Sequence, residues 1–191
     1  MIDLALDHIE AIPFDVLWQY VGAYPEGEVA GCHGISHWKR VEKYGLRIAR
    51  YSGADVTVVR LFALFHDAAR FNNDIDVEHG PLGAELAKEL HNIFYTLDDS
   101  RFELLYHACK YHADGAVSDD STIGTCWDAD RLDLWRVHAQ PDERYMSTGR
   151  GKKLARRYSS MAALVPGRFK EIPQSPASNL TSCFEVIRCK A

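Results

Sequence analysis

Val58-Val59-Arg60-Leu61-Phe62-Ala63-Leu64-Phe65-His66-Asp67 is the stretch on which the reading of this chain turns. Up to Phe65 it is plain core material, interrupted only by Arg60. An imidazole and a carboxylate then follow directly. Burying both is costly unless something pairs with them, and a divalent cation satisfies the two together. Upstream, His37 stands in His33-Gly34-Ile35-Ser36-His37-Trp38-Lys39-Arg40-Val41. Downstream, Asp130 stands in Trp127-Asp128-Ala129-Asp130-Arg131-Leu132-Asp133. The order His, His-Asp, Asp is what a metal site assembled from several helices looks like when written out linearly. It points to metal-dependent hydrolysis.

Helical periodicity surrounds these residues. Residues 55–70 place Val59, Phe62, His66 and Ala69 on one stripe, with Asp55 near the start. Residues 37–51 put His37, Val41, Tyr44 and Ile48 on one face, with Ser36 as N-cap. Pro81 opens a helix running to about Phe94, a place where proline is tolerated. Asp99 or Ser100 caps a helix to about His112, which Asp114-Gly115 ends. From Thr122 to Val137, Ile123, Trp127, Asp130, Leu134 and Val137 align. Period-two alternation is weak throughout, so an all-α bundle is expected. Residues 1–163 are expected to form this helical domain. Residues 164–191, with Pro166, Gly167, Pro173 and Pro176, are expected to pack on it as an irregular C-terminal extension.

The bulk properties narrow the function. A chain of 191 residues suits one domain with a real core. A net charge of −5 argues against nucleic acid as an obligatory partner. It leaves small phosphorylated substrates open, since a metal supplies local positive charge. The N-terminus carries acids where a secretory leader needs bases, and no apolar run approaches the ~20 residues of a membrane span. Five cysteines without a Cys-x-x-Cys pair fit reduced thiols, and a cytoplasmic location is expected. The glycines of Gly149-Arg-Gly-Lys-Lys-Leu-Ala-Arg-Arg-Tyr158 lack the spacing of a phosphate-binding Walker loop, and the run reads as a solvated face.

Each proposed ligand shares a stripe with core residues: His37 with Val41 and Ile48, His66 with Val59 and Phe62, Asp130 with Trp127 and Leu134. Singly, each has a bland explanation as a hydrogen-bonded histidine or an ion-paired acid. Jointly they call for one explanation. Two imidazoles and two carboxylates suit Mn, Fe, Co, Ni or Zn without choosing among them. His33 rivals His37, although Gly31 and Gly34 make its surroundings loop-like. Asp128 rivals Asp130, and periodicity does not separate the two.

The segments His37-Trp38-Lys39-Arg40-Val41, Phe65-His66-Asp67 and Asp128-Ala129-Asp130-Arg131-Leu132-Asp133 resemble the HD-domain superfamily of metal-dependent phosphohydrolases, over roughly residues 30–138. The resemblance implies the all-helical HD bundle, with His37, His66, Asp67 and Asp130 as metal ligands. It also implies hydrolysis of a phosphomonoester or phosphoanhydride in a small molecule, a nucleotide above all. Some members hold two ions, and here His79, His107 and His112 are the candidates for a second ion or for substrate contact. The adjacent histidine pair of that subgroup is absent, since Tyr111 precedes His112, so one ion is favoured over two. In catalysis Asp67 would orient a water or take its proton. Arg70, at a position where the family often has lysine, and Arg40 would meet phosphate oxygens. Two alternatives stand beside this reading: a di-iron oxygenase of the same fold, and a non-catalytic nucleotide-binding regulatory domain.

Overall fold

The computed structural model describes residues 12–23, 32–71 and 76–163. These fold as seven helices: α1 (Phe14–Gly22), α2 (Ile35–Ser52), α3 (Val56–Phe65), α4 (His79–Leu90), α5 (Asp99–Tyr111), α6 (Ser121–Arg131) and α7 (Gly149–Ala163). No strand is present among the described residues. The proposed extension 164–191 lies outside them.

Helix α3 is the axle. Val58, Val59 and every residue from Leu61 to Phe65 are buried, as expected of a helix apolar on all sides. Helices α1, α2, α4, α5 and α6 pack around it. Its N-terminus is fixed by Asp55, whose carboxylate accepts from Val58 N (2.9 Å) and from the Arg101 guanidinium of α5 (2.8 and 3.0 Å). The backbone N–H of Asp55 donates to Thr122 Oγ1 of α6 (3.0 Å). Two glycines permit the closest approaches. A Cβ at Gly45 of α2 would lie 2.5 Å from Val59 Cγ1, and one at Gly83 of α4 would lie 2.5 Å from the Phe65 carbonyl oxygen. The second contact seats α4 on the C-terminal end of α3, where His66 and Asp67 emerge.

Several boundaries differ from the sequence expectation, each for a local reason. Helix α2 begins after Gly34, with Ser36 already inside it. The cap of α5 is Asp98, which accepts from Arg101 N at 3.0 Å. After Phe65 the chain tightens into turns, with Ala68 N bonded to Phe65 O (3.1 Å) and Arg70 N to Asp67 O (3.2 Å). Helix α6 stops at Arg131 rather than Val137. Bonds from Asp133 N to Asp130 O (2.9 Å) and from Arg136 N to Asp133 O (3.0 Å) close tighter turns there.

The basic run at 149–158 is a helix, not merely a solvated face. Leu154 and Ala155 bury against Ile48, Leu132 and Met146. Asp128 holds its entry, accepting from Ser147 N (2.6 Å), Thr148 N (2.8 Å) and Thr148 Oγ1 (2.7 Å). Thr148 Oγ1 in turn accepts from Gly151 N (2.9 Å), capping α7.

Candidate metal centre

Five helices deliver their ends to one place. His37 comes from the first turn of α2, and His66 and Asp67 leave the end of α3. His79 is the first residue of α4, His112 follows the last residue of α5, and Asp130 lies one residue before the end of α6. His66 and His112 lie at the C-terminal ends of their helices, where backbone carbonyls of the last turn take up their Nδ1–H.

The side chains form two groups joined by one carboxylate. In the first, His37 Nε2 lies 3.1 Å from His66 Nε2, 3.5 Å from Asp67 Oδ2 and 3.3 Å from Asp130 Oδ1. His66 Nε2 is 3.8 Å from Asp67 Oδ2 and 3.9 Å from Asp130 Oδ1. In the second, His79 Nε2 lies 3.0 Å from His112 Nε2, and the two are 3.5 and 3.6 Å from Asp67 Oδ1. Asp67 therefore turns one oxygen to each group. His37, His66, Asp67, His79 and His112 are all buried, and both triads of donors are compact enough to hold an ion.

The outward nitrogens decide the chemistry of the inward ones. Every Nδ1 faces an oxygen that can only accept. His37 Nδ1 donates to Asp133 Oδ2 (2.7 Å), and His66 Nδ1 to the carbonyls of Phe62 and Ala63 (both 3.2 Å). His112 Nδ1 donates to Cys109 O (2.7 Å), and His79 Nδ1 to the Asp76 carbonyl. In a neutral imidazole the proton is thus on Nδ1, and Nε2 presents a lone pair. Two such lone pairs facing each other at about 3 Å repel unless a positive charge stands between them. The donor set fits a cation in each group: nitrogen and carboxylate ligands at helix ends, with every histidine oriented from behind by an oxygen.

In the metal-free chain protons play that part. Burial opposes a charge on His37 and so does Arg136, yet the carboxylates of Asp130, Asp133 and Asp67 raise its pKa to about 9. His112 is also raised, the pull of Asp67 and Asp130 outweighing burial. Their partners go the other way. Burial lowers His66 to about 3, and burial followed by the charge on His112 lowers His79 to about 4. Despite burial, the neighbouring histidines hold Asp67 and Asp130 well below the usual carboxylate range.

The HD-domain family model matches residues 34–145, a span that contains every member of both groups. The chain belongs to the HD-domain family. It is also similar to a crystal structure of a predicted HD superfamily hydrolase from an uncultured Thermotogales bacterium. The two share 26% identity with a TM-score of 0.61, over 78% of this chain and 87% of that one. No curated protein matches.

The HD domain distributes the residues singled out in the sequence unevenly. His37, His66, Asp67 and Asp130 converge, and His79 and His112 meet beside them. The geometry thus offers places for two ions where the sequence favoured one. His107 joins neither group: it is exposed on α5, its ring 4.7 Å from that of Tyr111 and 6.0 Å from that of Trp127. Asp128 is spent on the entry to α7. Arg70 is buried, with Nη1 3.9 Å from Asp67 Oδ1. The Arg40 Nε–H points to Asp133 (2.8 and 3.1 Å), behind His37 rather than at the ligand atoms.

Four residues, Asp133, His33, Trp38 and Arg136, gain parts that the sequence reading did not give them. Asp133 orients His37. His33 adds to His37 instead of replacing it, with Nδ1 3.1 Å from Asp67 Oδ2. The turn carrying His33 is held by Trp38 Nε1, which donates to the His33 carbonyl (2.7 Å), and by Arg136 Nε, which donates to the Cys32 carbonyl (2.8 Å). The i, i+3 spacing of Asp130, Asp133 and Arg136 is the available signal for the first and last of these contacts, once α6 is known to end in tight turns.

Proposed function

We propose that this HD domain is a metal-dependent phosphohydrolase. Its substrate class is a phosphomonoester or phosphoanhydride of a small molecule, with a nucleotide as the first choice. The hydrolase assignment is supported by family membership and by the donor set. The choice of a nucleotide rests on family resemblance alone.

The charge balance around Asp67 carries the phosphoryl part. Asp67, Asp130 and Asp133 are matched in formal charge by Arg70, Arg40 and Arg136, each within 3.9 Å of one of these acids. Every divalent ion held therefore leaves two positive charges uncompensated, which suits a dianionic group better than a neutral ester or amide.

A bound ion lowers the pKa of its water toward ~7 and polarises a phosphoryl oxygen. The protein's own part is positional. His37, His66, Asp67 and Asp130 would hold one ion, and Asp67, His79 and His112 a second. Asp67, held strongly acidic by the histidines around it, is a poor proton acceptor and serves instead to orient the attacking water. Arg70 stands beside Asp67 Oδ1, where a guanidinium can meet charge building on the phosphoryl oxygens.

The deciding experiment is phosphate release from a panel of phosphorylated small molecules, using protein loaded in turn with Mn, Co, Ni, Zn and Fe. Turnover abolished by Asp67→Ala is expected, with metal and activity lost together in His66→Ala. Absence of release across the panel, at full metal occupancy, overturns the reading.

One observation favours a second reading. Two donor groups sharing a carboxylate also suit a di-iron centre that uses oxygen. Substrate-dependent oxygen consumption by protein holding two irons per chain would select it.

A further inference from the structure

The geometry points to Arg136, on the turn after α6, as a binding residue for an anionic phosphoryl oxygen of the substrate, with His33 beside it. This rests on the phosphohydrolase reading above and deepens it.

Arg136 is a buried guanidinium with too few acceptors. Its side chain is only 8% exposed, yet its single close acceptor among the described residues is the Cys32 carbonyl, reached by Nε at 2.8 Å. Nε also approaches Asp133 Oδ2, at 3.9 Å. Nη1 is fully buried without a hydrogen-bond partner. Among the described residues Nη2 meets only His33 Nδ1, at 3.4 Å. With the His33 Nδ1–H directed at Asp67 Oδ2 (3.1 Å), that nitrogen cannot also accept from Arg136. The outer edge of the guanidinium, the part that binds phosphate as a two-pronged fork, is thus left without an acceptor among the described residues.

A buried cation in this state is unfavourable unless something completes it. Arg131 and Arg150 also have a buried nitrogen without a partner, but each lies over an aromatic ring, Trp127 at 5.6 Å and Tyr51 at 4.5 Å. Arg136 is set apart by its place against the ligand cluster. It touches His33, which touches Asp67, and its charge acts on both His37 and Asp130. An oxyanion held at the first donor group would supply the missing acceptors. Arg70 approaches Asp67 from its other oxygen, Oδ1, so the two guanidiniums would grip a phosphoryl group from opposite sides of that carboxylate.

The test is titration calorimetry of inorganic phosphate into metal-loaded protein, comparing wild type with Arg136→Gln and Arg136→Lys. Metal content and melting temperature are measured on the same samples. At equal metal content, phosphate affinity is expected to fall at least tenfold in Arg136→Gln. A smaller loss is expected in Arg136→Lys, which keeps the charge but not the fork. A merely structural arginine would move melting temperature and leave phosphate affinity alone.

Wild-type affinity in both variants overturns the proposal, and so does a wild-type protein that binds no phosphate at millimolar concentration. If Arg136→Gln fails to fold, Arg136→Lys decides, and unchanged affinity there counts against it. The two readings separate cleanly. Phosphate binding that depends on Arg136 without phosphatase activity sinks the hydrolase assignment alone, and turnover with Arg136-independent phosphate binding sinks this one alone.

Discussion

Asp133 controls His37 from the side away from the ligand cluster. Its carboxylate, fully buried, takes the Nδ1–H of His37 at 2.7 Å and the Nε–H of Arg40 at 2.8 Å. Oxygen partners behind metal-binding imidazoles typically change metal affinity by ~10–100-fold. Asp133→Asn, with its amide oxygen still able to accept, is expected to weaken binding of the first ion toward the low end of that range. Asp133→Ala is expected to reach the high end, both read by competition with a chromogenic chelator. The same histidine sets a pH dependence. With its pKa at about 9 in the metal-free chain, His37 carries at neutral pH the proton that an ion must displace from Nε2. Metal affinity should therefore rise by about tenfold per pH unit up to that value, with one proton released per ion at His37. Calorimetry in buffers of different ionisation heat measures the release, and binding without proton release at pH 7 contradicts the assignment. Stability of the metal-free fold follows the opposite course. The His37 contribution is complete below the unfolded value of 6.5 and is lost as pH rises through about 9.

At the scale of elements, Asp128 and Asp130 separate two jobs that sequence spacing alone left open. Asp128 joins α6 to the entry of α7 through three hydrogen bonds, while Asp130 faces His37 and His66. Asp128→Ala is expected to cost about 2–3 kcal/mol in urea unfolding, since bonds to a buried charged group are being removed, with metal content unchanged. Asp130→Ala is expected instead to lose metal, and in the metal-free state to give up the part of the His37 contribution that its carboxylate supports. Identical behaviour of the two variants would mean that the site has been assigned to the wrong acid. The same elements show what the sequence made legible. Helices α2, α3 and α5 could be read because each keeps an apolar stripe, with Asp55 a recognisable cap for α3. His37 and His66 could be read because they interrupt such stripes, whereas only the family resemblance favours Asp130 over Asp128. Helix α7 could not, because Gly149, Gly151 and a dense run of bases hide the short apolar pair Leu154-Ala155. His107 and His112 both lie on the α5 pattern. Only the end of the helix at Tyr111, followed by a tight turn to Gly115 at φ +73°, sends one of them inward and leaves the other in solvent. His33 and Arg136 depend on turns whose path no periodicity encodes.

Across the whole molecule the two donor groups are the point where five helices meet, so ion binding should be felt as global stability. The core around α3 is continuous and does not run through the metal groups: Trp38, Phe62, Leu64 and Leu105 are fully buried with no part in ligation. The metal-free chain should therefore stay folded, unlike small domains that need metal to fold at all. What it loses is the linkage energy, about 4 kcal/mol when free ion stands at a thousand times its dissociation constant. For a chain of this size that corresponds to a fall in melting temperature of roughly 10 °C on chelation, restored by adding the ion back. If both groups are occupied, the recovery should come in two steps as the ion is titrated. His79→Ala should abolish one step and leave the other, because His37, His66 and Asp130 do not depend on it, whereas Asp67→Ala should abolish both, because that carboxylate gives an oxygen to each group. A single step that survives His79→Ala at full amplitude would mean that the second group holds no ion.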